Sequence, residues 1–511
     1  KEQHEFWRPT KFGGDVPSYW DLFKDREDFS YDEIYPMDDL LDTYMDTATM
    51  DKMKALRVAT VSKLLGVPVE KIRTVTHEEC HRYYSYWGSS IRGEGLALTA
   101  EGIGDYSNQT VSKFSEKGVT ELANTKDNHI GHIYQYITLI LGMKPAQHEY
   151  KVMGLAPYAN SHEVAKSYKV FEDILKVDGL NIVFNKEPKD LYFHFRDALE
   201  GHRFDGVAGA LQLWVENLLS EWVTNCVKES GLKTVVFSGG VAQNIKAAKV
   251  LTELDCVEDF FVCPAAGDTS LPVGAAYFVM WEHLNKEGAS TDMLKPMDNI
   301  YLGPEFNEEQ TEKILNEEGA PERYKVTRGY TPEDVASRLA NGKVVARCCG
   351  RMEFGLRSLG NRSIMADPRS AEIVRKVNTA IKFRDFWMPF TPSILAHRAD
   401  DYVVNPKKLR SPYMTMAFDS TPLAQKELIA GLHPADMTCR PQFLEEHRNP
   451  GYYAILKAFE EKTGVGGVMN TSFNLHGLPI ALGPKEALHT MDNSELDSLI
   501  LDGFIVDRDE D

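Results

Sequence analysis

The stretch Thr76-His77-Glu78-Glu79-Cys80-His81 sets two imidazoles four residues apart. On a helix, positions i and i+4 share a face, so His77 and His81 can reach one ion. The same residues match H-E-x-x-H, in which a zinc peptidase helix supplies two ligands and a general-base Glu. Only three of those five positions are fixed, and such matches recur by chance. Three readings stand at this point: an exposed helix that carries two histidines, a metal site of some kind, and a peptidase. His129 and His132 form a second pair at i, i+3.

Other segments suit phosphate. Phe237 to Asn244, FSGGVAQN, sets Gly239 and Gly240 after a β-branched run. Glycines at a strand-to-helix turn let backbone N–H groups approach a phosphate, and the helix N-terminus adds its dipole. No G-x-x-x-x-G-K-[ST] occurs, so any nucleotide is bound without a P-loop. Lys151, in YKVMGLAPY, is a candidate phosphate contact, and Glu149 a partner for it or for a ribose. Later come Lys343, Arg347, Arg351, Arg357, Arg362, Arg369, Lys382 and Arg384, interleaved with Gly350, Gly355 and Gly360. Arginine forks and glycine backbone donors together suit a double-phosphate pocket.

That local excess of cations stands in a chain of 511 residues with net charge −19. The whole-molecule field repels polyanions, which argues against general nucleic-acid binding. No run of roughly 18 uncharged apolar residues is present, so no membrane helix is expected. Seven cysteines without a C-x-x-C pair read as free thiols in a reducing cytoplasm.

The elements that must position these residues follow from periodicity. A helix is predicted over TATMDKMKALRVATVSKLLGV, stopped by Gly66, and a short strand then a helix over IRTVTHEECHRYYSYWGSS. GEGLALTAEGIGDYSNQTVSKF reads as strand, turn, strand. NHIGHIYQYITLILG and FDGVAGALQLWVENLLSEWVTNCVKES read as helices, the second closed by Gly231. KTVVFSGGVAQNIKAAKVL and DFFVCPAAGDTSLPVGAAYFVMWEHL each read as strand, glycine turn, helix, an α/β nucleotide-binding pattern. Composition turns charged at 284–330, which places a domain boundary there.

Six ordered blocks carry a more specific signal: EYKVMGLAPYA, FSGGVAQN, PAAGDTSLPVGAA, GRMEFGLRSLGNRSIMADPR, IKFRDFWMPFTPSIL and NTSFNLHGLPI. Together they closely resemble the ATP-dependent carbamoyltransferases, which carbamoylate hydroxyls of antibiotics, toxins and nodulation factors. The resemblance implies an α/β chain of two domains. Residues 1–300 would be actin/hexokinase-like, similar to the tRNA threonylcarbamoyl transferases. Residues 301–511 would be similar to the threonylcarbamoyl-adenylate synthases. The second domain is expected to form carbamoyl-adenylate from carbamoyl phosphate and ATP, and the first to pass the carbamoyl group to an acceptor. Internal hand-over would spare a labile anhydride from water.

The resemblance also implies residue roles. The family's H-H-x-x-H ligand motif places His77 and His81 on a metal, with Glu78 in the middle position and Asp268 as third ligand. Two His and one carboxylate with open positions suit Fe(II), and also Zn or Mn. Lys382-x-Arg384 and Ser472-x-Asn474 match the K-x-R and S-x-N signatures of the adenylate-forming fold and are the implied catalytic groups. Lys151, Gly239, Gly240, Asn244, Arg351, Arg357, Arg362, Arg440 and Asn470 are implied contacts of nucleotide and phosphates. Mg(II) is expected with ATP, and carbamoyl phosphate and a small-molecule hydroxyl acceptor are the expected partners. Neither nucleic acid nor membrane is expected, and a homodimer is one allowed state.

Some positions depart from the family pattern. Its G-x-x-x-H-D-x-S turn would lie before Lys1, so the chain is expected to lack roughly the first 30 residues of such a domain. Glu101 stands where an Asp is usual, Leu356 and Ser358 where Pro and Ala are common, and Met388 where Arg is frequent. Phe6, Trp7, Tyr19, Trp20 and Phe23 are expected either to line an acceptor entrance or to pack as a surface excursion. Competing readings are a tRNA threonylcarbamoyl-type enzyme, a non-catalytic nucleotide-binding scaffold and, more distantly, the zinc peptidase.

Overall fold

The computed structural model describes residues 47–116, 118–382 and 384–508. The aromatic opening lies outside them. The chain divides between Pro296 and Met297 into two compact units, each built of α-helices and β-strands.

In the first unit, α1 (Thr47–Leu65) is followed by α2 (His77–Trp87). The strand expected before α2 does not form: residues 72–76 are irregular, because their alternating pattern finds no neighbouring strand to bond. Next come β1 (Gly95–Ala100), β2 (Gln109–Ser115) and β3 (Gly118–Thr125), an antiparallel meander. Helices α3 (Ile130–Ile140) and α4 (Glu149–Leu155) precede the small hairpin of β4 (Leu175–Asp178) and β5 (Asn181–Phe184). The long α5 (Phe204–Ser230) ends on left-handed Gly231. β6 (Thr234–Ser238), α6 (Ile245–Glu253), β7 (Asp259–Val262) and α7 (Leu271–Glu287) complete the unit.

The main sheet has the order β3-β2-β1-β6-β7, with β1, β6 and β7 parallel. This three-strand meander with parallel strands added at its first member is the actin/hexokinase-like arrangement expected. β1 is buried along its whole length and β6 over all but its first residue, as continuous apolar runs predict for covered parallel strands. Helix α2 packs on β1 and β6, and α7 lies against α2. That approach needs Gly274, since a Cβ there would meet Cys80 O at 2.0 Å.

The second unit is an eight-stranded mixed sheet in the order β14-β11-β15-β10-β9-β16-β17-β8. Its strands are β8 (Lys325–Arg328), β9 (Val345–Cys348), β10 (Arg362–Ala366), β11 (Thr391–Leu395), β14 (Gln442–Leu444), β15 (Gly467–Ser472), β16 (Ser498–Leu501) and β17 (Phe504–Asp507). A separate pair, β12 (Phe418–Asp419) and β13 (Thr438–Cys439), lies just before β14. Ile364, Val377, Met469, Leu499 and Phe504 belong to one buried core. All seven cysteines are free thiols. Among the described residues, no helix is long and apolar enough to cross a membrane.

Candidate functional sites

The first site forms where chain segments leave the carboxyl ends of three parallel neighbours, the usual ligand edge of an open α/β sheet. Glu101 follows β1, Ser238 ends β6, and Asp268 lies in the loop after β7. Helix α2 brings His77 and His81. Its start is set by a reciprocal capping box: Thr76 Oγ accepts from Glu79 N at 3.3 Å, and Glu79 Oε2 accepts from Thr76 N at 3.2 Å. Glu79 is therefore used in starting the helix. Glu78 turns elsewhere, its Oε2 accepting from Asp105 N at 3.3 Å, and burial pushes its carboxyl above the usual range. The H-E-x-x-H likeness thus reduces to its two histidines, because Glu78 does not face the ion position.

His77, His81, Glu101 and Asp268 each offer one ligand atom, and these atoms lie within 4.8 Å of one another. Among the described residues, no other group of three or more such side chains converges; the Nδ1 atoms of His129 and His132 lie 3.3 Å apart, and no third ligand side chain joins them in such a group. His81 Nε2 lies 3.2 Å from His77 Nε2, 2.6 Å from Glu101 Oε1 and 3.7 Å from Asp268 Oδ1. His77 Nε2 lies 3.5 Å from Asp268 Oδ1.

The second layer fixes the tautomer. Ser238 Oγ donates to Ala266 O at 3.1 Å, so it must accept from His81 Nδ1, also at 3.1 Å. That leaves the Nε2 of His81 turned to the cluster as a ligand atom. Glu101 is held from the other side, its Oε2 accepting from Gly240 N at 2.8 Å, which leaves Oε1 turned to His81 Nε2. Burial opposes a charged His81, but Glu101 and Asp268 outweigh it and push the imidazole up to about 9. Burial likewise opposes a charged Glu101, but His81 and His77 hold it down at about 2. The cluster calls for positive charge at its centre, and the donor set fits a divalent cation. Asp268 is 63% exposed, so the centre opens to solvent on that side.

Several residues expected around phosphate have other work here. The Gly240 N–H is taken by Glu101. Gly239 has φ +102, and a Cβ on it would meet Ala100 O at 2.3 Å and Glu101 Oε1 at 2.6 Å. Both glycines therefore make room for Glu101. Asn244 caps α6, Oδ1 accepting from Ala247 N at 3.0 Å, and its Nδ2 donates to Gln212 Oε1 at 2.9 Å. Glu149 accepts from Ala146 N at 2.6 Å, at the start of α4. Lys151 is buried on α4.

The second site lies within the second unit. Lys382 ends a π-helical turn, Asn378–Lys382, and is 3% exposed. Its Nζ donates to Ser472 Oγ at 3.2 Å, Asn474 O at 2.9 Å and Asn474 Oδ1 at 2.6 Å, and also to Ser472 O. Ser472 Oγ donates to Asn474 Oδ1 at 2.7 Å. The two signatures, 90 residues apart in the chain, thus meet at one nitrogen. Arg384 lies over the Phe390 ring, 4.0 Å from its centroid, and Arg440 sits in the turn between β13 and β14. Burial, then Arg384, pushes Lys382 well below the usual amine range. Burial, then Arg357 and Arg384, pushes Arg440 well below its own. Its Nε is buried without a hydrogen-bond partner. Among the described residues, no carboxylate offsets either group.

The loop that carries Arg357 is shaped by a residue the motifs did not single out. Glu353 is buried, and its Oε1 accepts from Leu359 N at 2.8 Å, Asn361 N at 2.7 Å and Arg362 N at 3.1 Å. The expectation that Arg362 and Arg351 meet phosphate does not fit. Arg362 spends its whole guanidinium on the carbonyls of Cys349, Gly350, Asn361, Pro304 and Leu482. Arg351 donates to the carbonyls of Gly303 and Leu302. Arg369 pairs with Asp367. Met388 is part of the core.

Both units are similar to known proteins. Residues 44–277 match the family described as Carbamoyltransferase N-terminus, and residues 336–508 the one described as Carbamoyltransferase C-terminus. The chain belongs to the carbamoyltransferase family, a class of transferases. It is 31% identical over 457 residues to the uncharacterized protein MJ1058 of Methanocaldococcus jannaschii, covering 84% of this chain and 73% of that protein. It is 29% identical over 448 residues to the nodulation protein NolO of Bradyrhizobium diazoefficiens, covering 84% of this chain and 78% of that protein. The solved structure of T. kodakarensis HypF aligns over 46% of this chain and 40% of that one at 14% identity, with a TM-score of 0.27, and nothing further rests on it.

Proposed function

We propose that this carbamoyltransferase uses ATP and carbamoyl phosphate to make carbamoyl-adenylate in its second unit, and transfers the carbamoyl group in its first unit to a hydroxyl of a small natural product. The observation that carries this reading is the meeting of Lys382 with Ser472 and Asn474 beside Arg357, Arg384 and Arg440. Lys382 is buried, and positive groups crowded around it cost stability unless an anion joins them. Substrates rich in phosphate supply that anion.

Atom balance defines the first half-reaction. Water releases phosphate from carbamoyl phosphate, a carbamate oxygen attacks the α-phosphorus of ATP, and pyrophosphate leaves with the electrons of the broken P–O bond. Negative charge moves onto the leaving group, and preorganised cations stabilise that change. Lys382 and Arg384 face the triphosphate, Mg(II) accompanies ATP, Arg357 and Arg440 hold the carbamoyl phosphate end, and Ser472 and Asn474 orient Lys382. In the second half-reaction the acceptor hydroxyl loses its proton, its oxygen attacks the carbamoyl carbon, and AMP departs. His77, His81, Asp268 and Glu101 would hold a divalent metal there, Fe(II) by the donor set. When bound, such a metal supplies Lewis acidity toward a carbonyl or hydroxyl oxygen.

The test is pyrophosphate release from ATP without acceptor. Release that needs carbamoyl phosphate and is lost in Lys382→Ala supports the reading; absence of any carbamoyl phosphate dependence in the wild type overturns it.

A further inference from the structure

Asn470 stands on β15 two residues before Ser472, so both side chains share one face of the strand, about 7 Å apart along it. Asn470 is 1% exposed. The hydrogen bonds around it fix which way its amide points. Gln442 Nε2 donates to Leu359 O at 3.1 Å, which turns Gln442 Oε1 toward Ser393. Ser393 Oγ donates its one proton to that Oε1 at 2.8 Å. Ser393 Oγ can then only accept from Asn470, and it is Nδ2 that lies 3.0 Å away. The other Nδ2 proton goes to Ser358 O, also at 3.0 Å.

Asn470 Oδ1 is left as a buried acceptor with no donor. Ser358, 6% exposed, also has a buried Oγ without a partner. It follows Arg357 directly in the chain, and its carbonyl oxygen is the one that receives Asn470 Nδ2. A phosphate oxygen cannot satisfy a carbonyl-type acceptor, because both are negative. A buried acceptor beside cations fits a ligand that is anionic at one end and carries N–H at the other.

We propose that Asn470 Oδ1, together with Ser358 Oγ, receives the N–H groups of the donor's carbamoyl NH2 and so selects carbamoyl over acyl donors. This deepens the carbamoyl phosphate reading given above and rests on it. Acetyl phosphate is the discriminating probe, since a methyl group replaces the NH2 and leaves both acceptors unpaired. Sites built to hydrogen-bond a substrate group reject the analogue lacking it by about 10⁴-fold.

The experiment compares pyrophosphate release from ATP by the full chain with carbamoyl phosphate and with acetyl phosphate. Wild type is expected to prefer carbamoyl phosphate by about 10⁴-fold in kcat/KM. Asn470→Ala should reduce that preference about 100-fold, with the loss on carbamoyl phosphate and not on acetyl phosphate. Ser358→Ala, which removes one unpartnered hydroxyl from a position able to hold Ala, should reduce it by roughly threefold to tenfold. Wild type using both donors within about tenfold overturns the inference without any variant. Equal slowing on both donors in the variants also overturns it, since that is what a purely structural Asn470 would give. Wild type without any carbamoyl phosphate-dependent release removes the underlying reading and this inference with it, and that arm alone identifies this failure.

Discussion

The two sites are electrostatic opposites. In the first unit, two carboxylates and two imidazole nitrogens point at one centre, and both histidines are raised above their ordinary range by the carboxylates around them. In the second, a lysine and an arginine are pushed far down, by burial first and by neighbouring arginines next. One centre is short of positive charge and the other of negative charge. In a protein of net charge −19, these opposite electrostatic demands fall in separate compact units. This suits a reaction in which phosphate activation and group transfer are different steps.

That contrast can be broken at either site. The largest effect is expected from Lys382→Ala, which removes the nitrogen joining Ser472 and Asn474. Carbamoyl phosphate-dependent pyrophosphate release should fall by about 10³-fold, while the metal content of the protein stays unchanged. The mirror experiment is Ser238→Ala, which frees the His81 Nδ1 proton to go elsewhere. Metal affinity, read by titration with Fe(II) or Zn(II), should weaken about 10-fold to 100-fold, with acceptor-free pyrophosphate release intact. Gly239→Ala should do the same by displacing Glu101.

Arg440→Met sharpens the comparison from the energetic side. Its loss should raise KM for carbamoyl phosphate about tenfold to 100-fold, yet stabilise the ligand-free protein by about 1 kcal/mol, because it removes one of several mutually repelling, partly buried cations. Thermal unfolding without ligand reads that sign. The smallest effect concerns a carboxylate with full compensation. Burial would raise Glu460, but Lys457, Arg398 and His397 hold it down at about 2, against an ordinary 4.5. Its contribution to stability is complete above the ordinary value and is lost as pH falls toward about 2. Glu460→Gln should flatten that acid limb and cost about 1 kcal/mol at neutral pH.

Much of this was readable in the chain, unevenly. The K-x-R and S-x-N signatures came from the family resemblance, but the helix face of His77 and His81 and the strand-turn-helix units that end near Ser238 and Asp268 are local patterns. They survive because each depends on spacing alone. Glu101 was noticed only as a carboxylate in an Asp position; its place beside His81 comes from the parallel pairing of β1 with β6, which spacing does not express. The cation run was harder. Arg357 and Arg362 look alike in sequence, yet one borders a cation group and the other is saturated by backbone carbonyls. Glu353, which shapes the loop between them, gives no sequence signal beyond an acidic residue in a basic stretch. The strand expected at 72–75 failed for the related reason that alternation needs a partner edge.

The most direct measurement is acceptor-free pyrophosphate release by the full chain after any bound transition metal has been stripped and Mg(II) restored. The account predicts carbamoyl phosphate-dependent release at the rate of the metal-loaded protein, with carbamoylation of any acceptor abolished. Loss of pyrophosphate release on stripping, restored by Fe(II) or Zn(II), would contradict the division of the chemistry between the two sites.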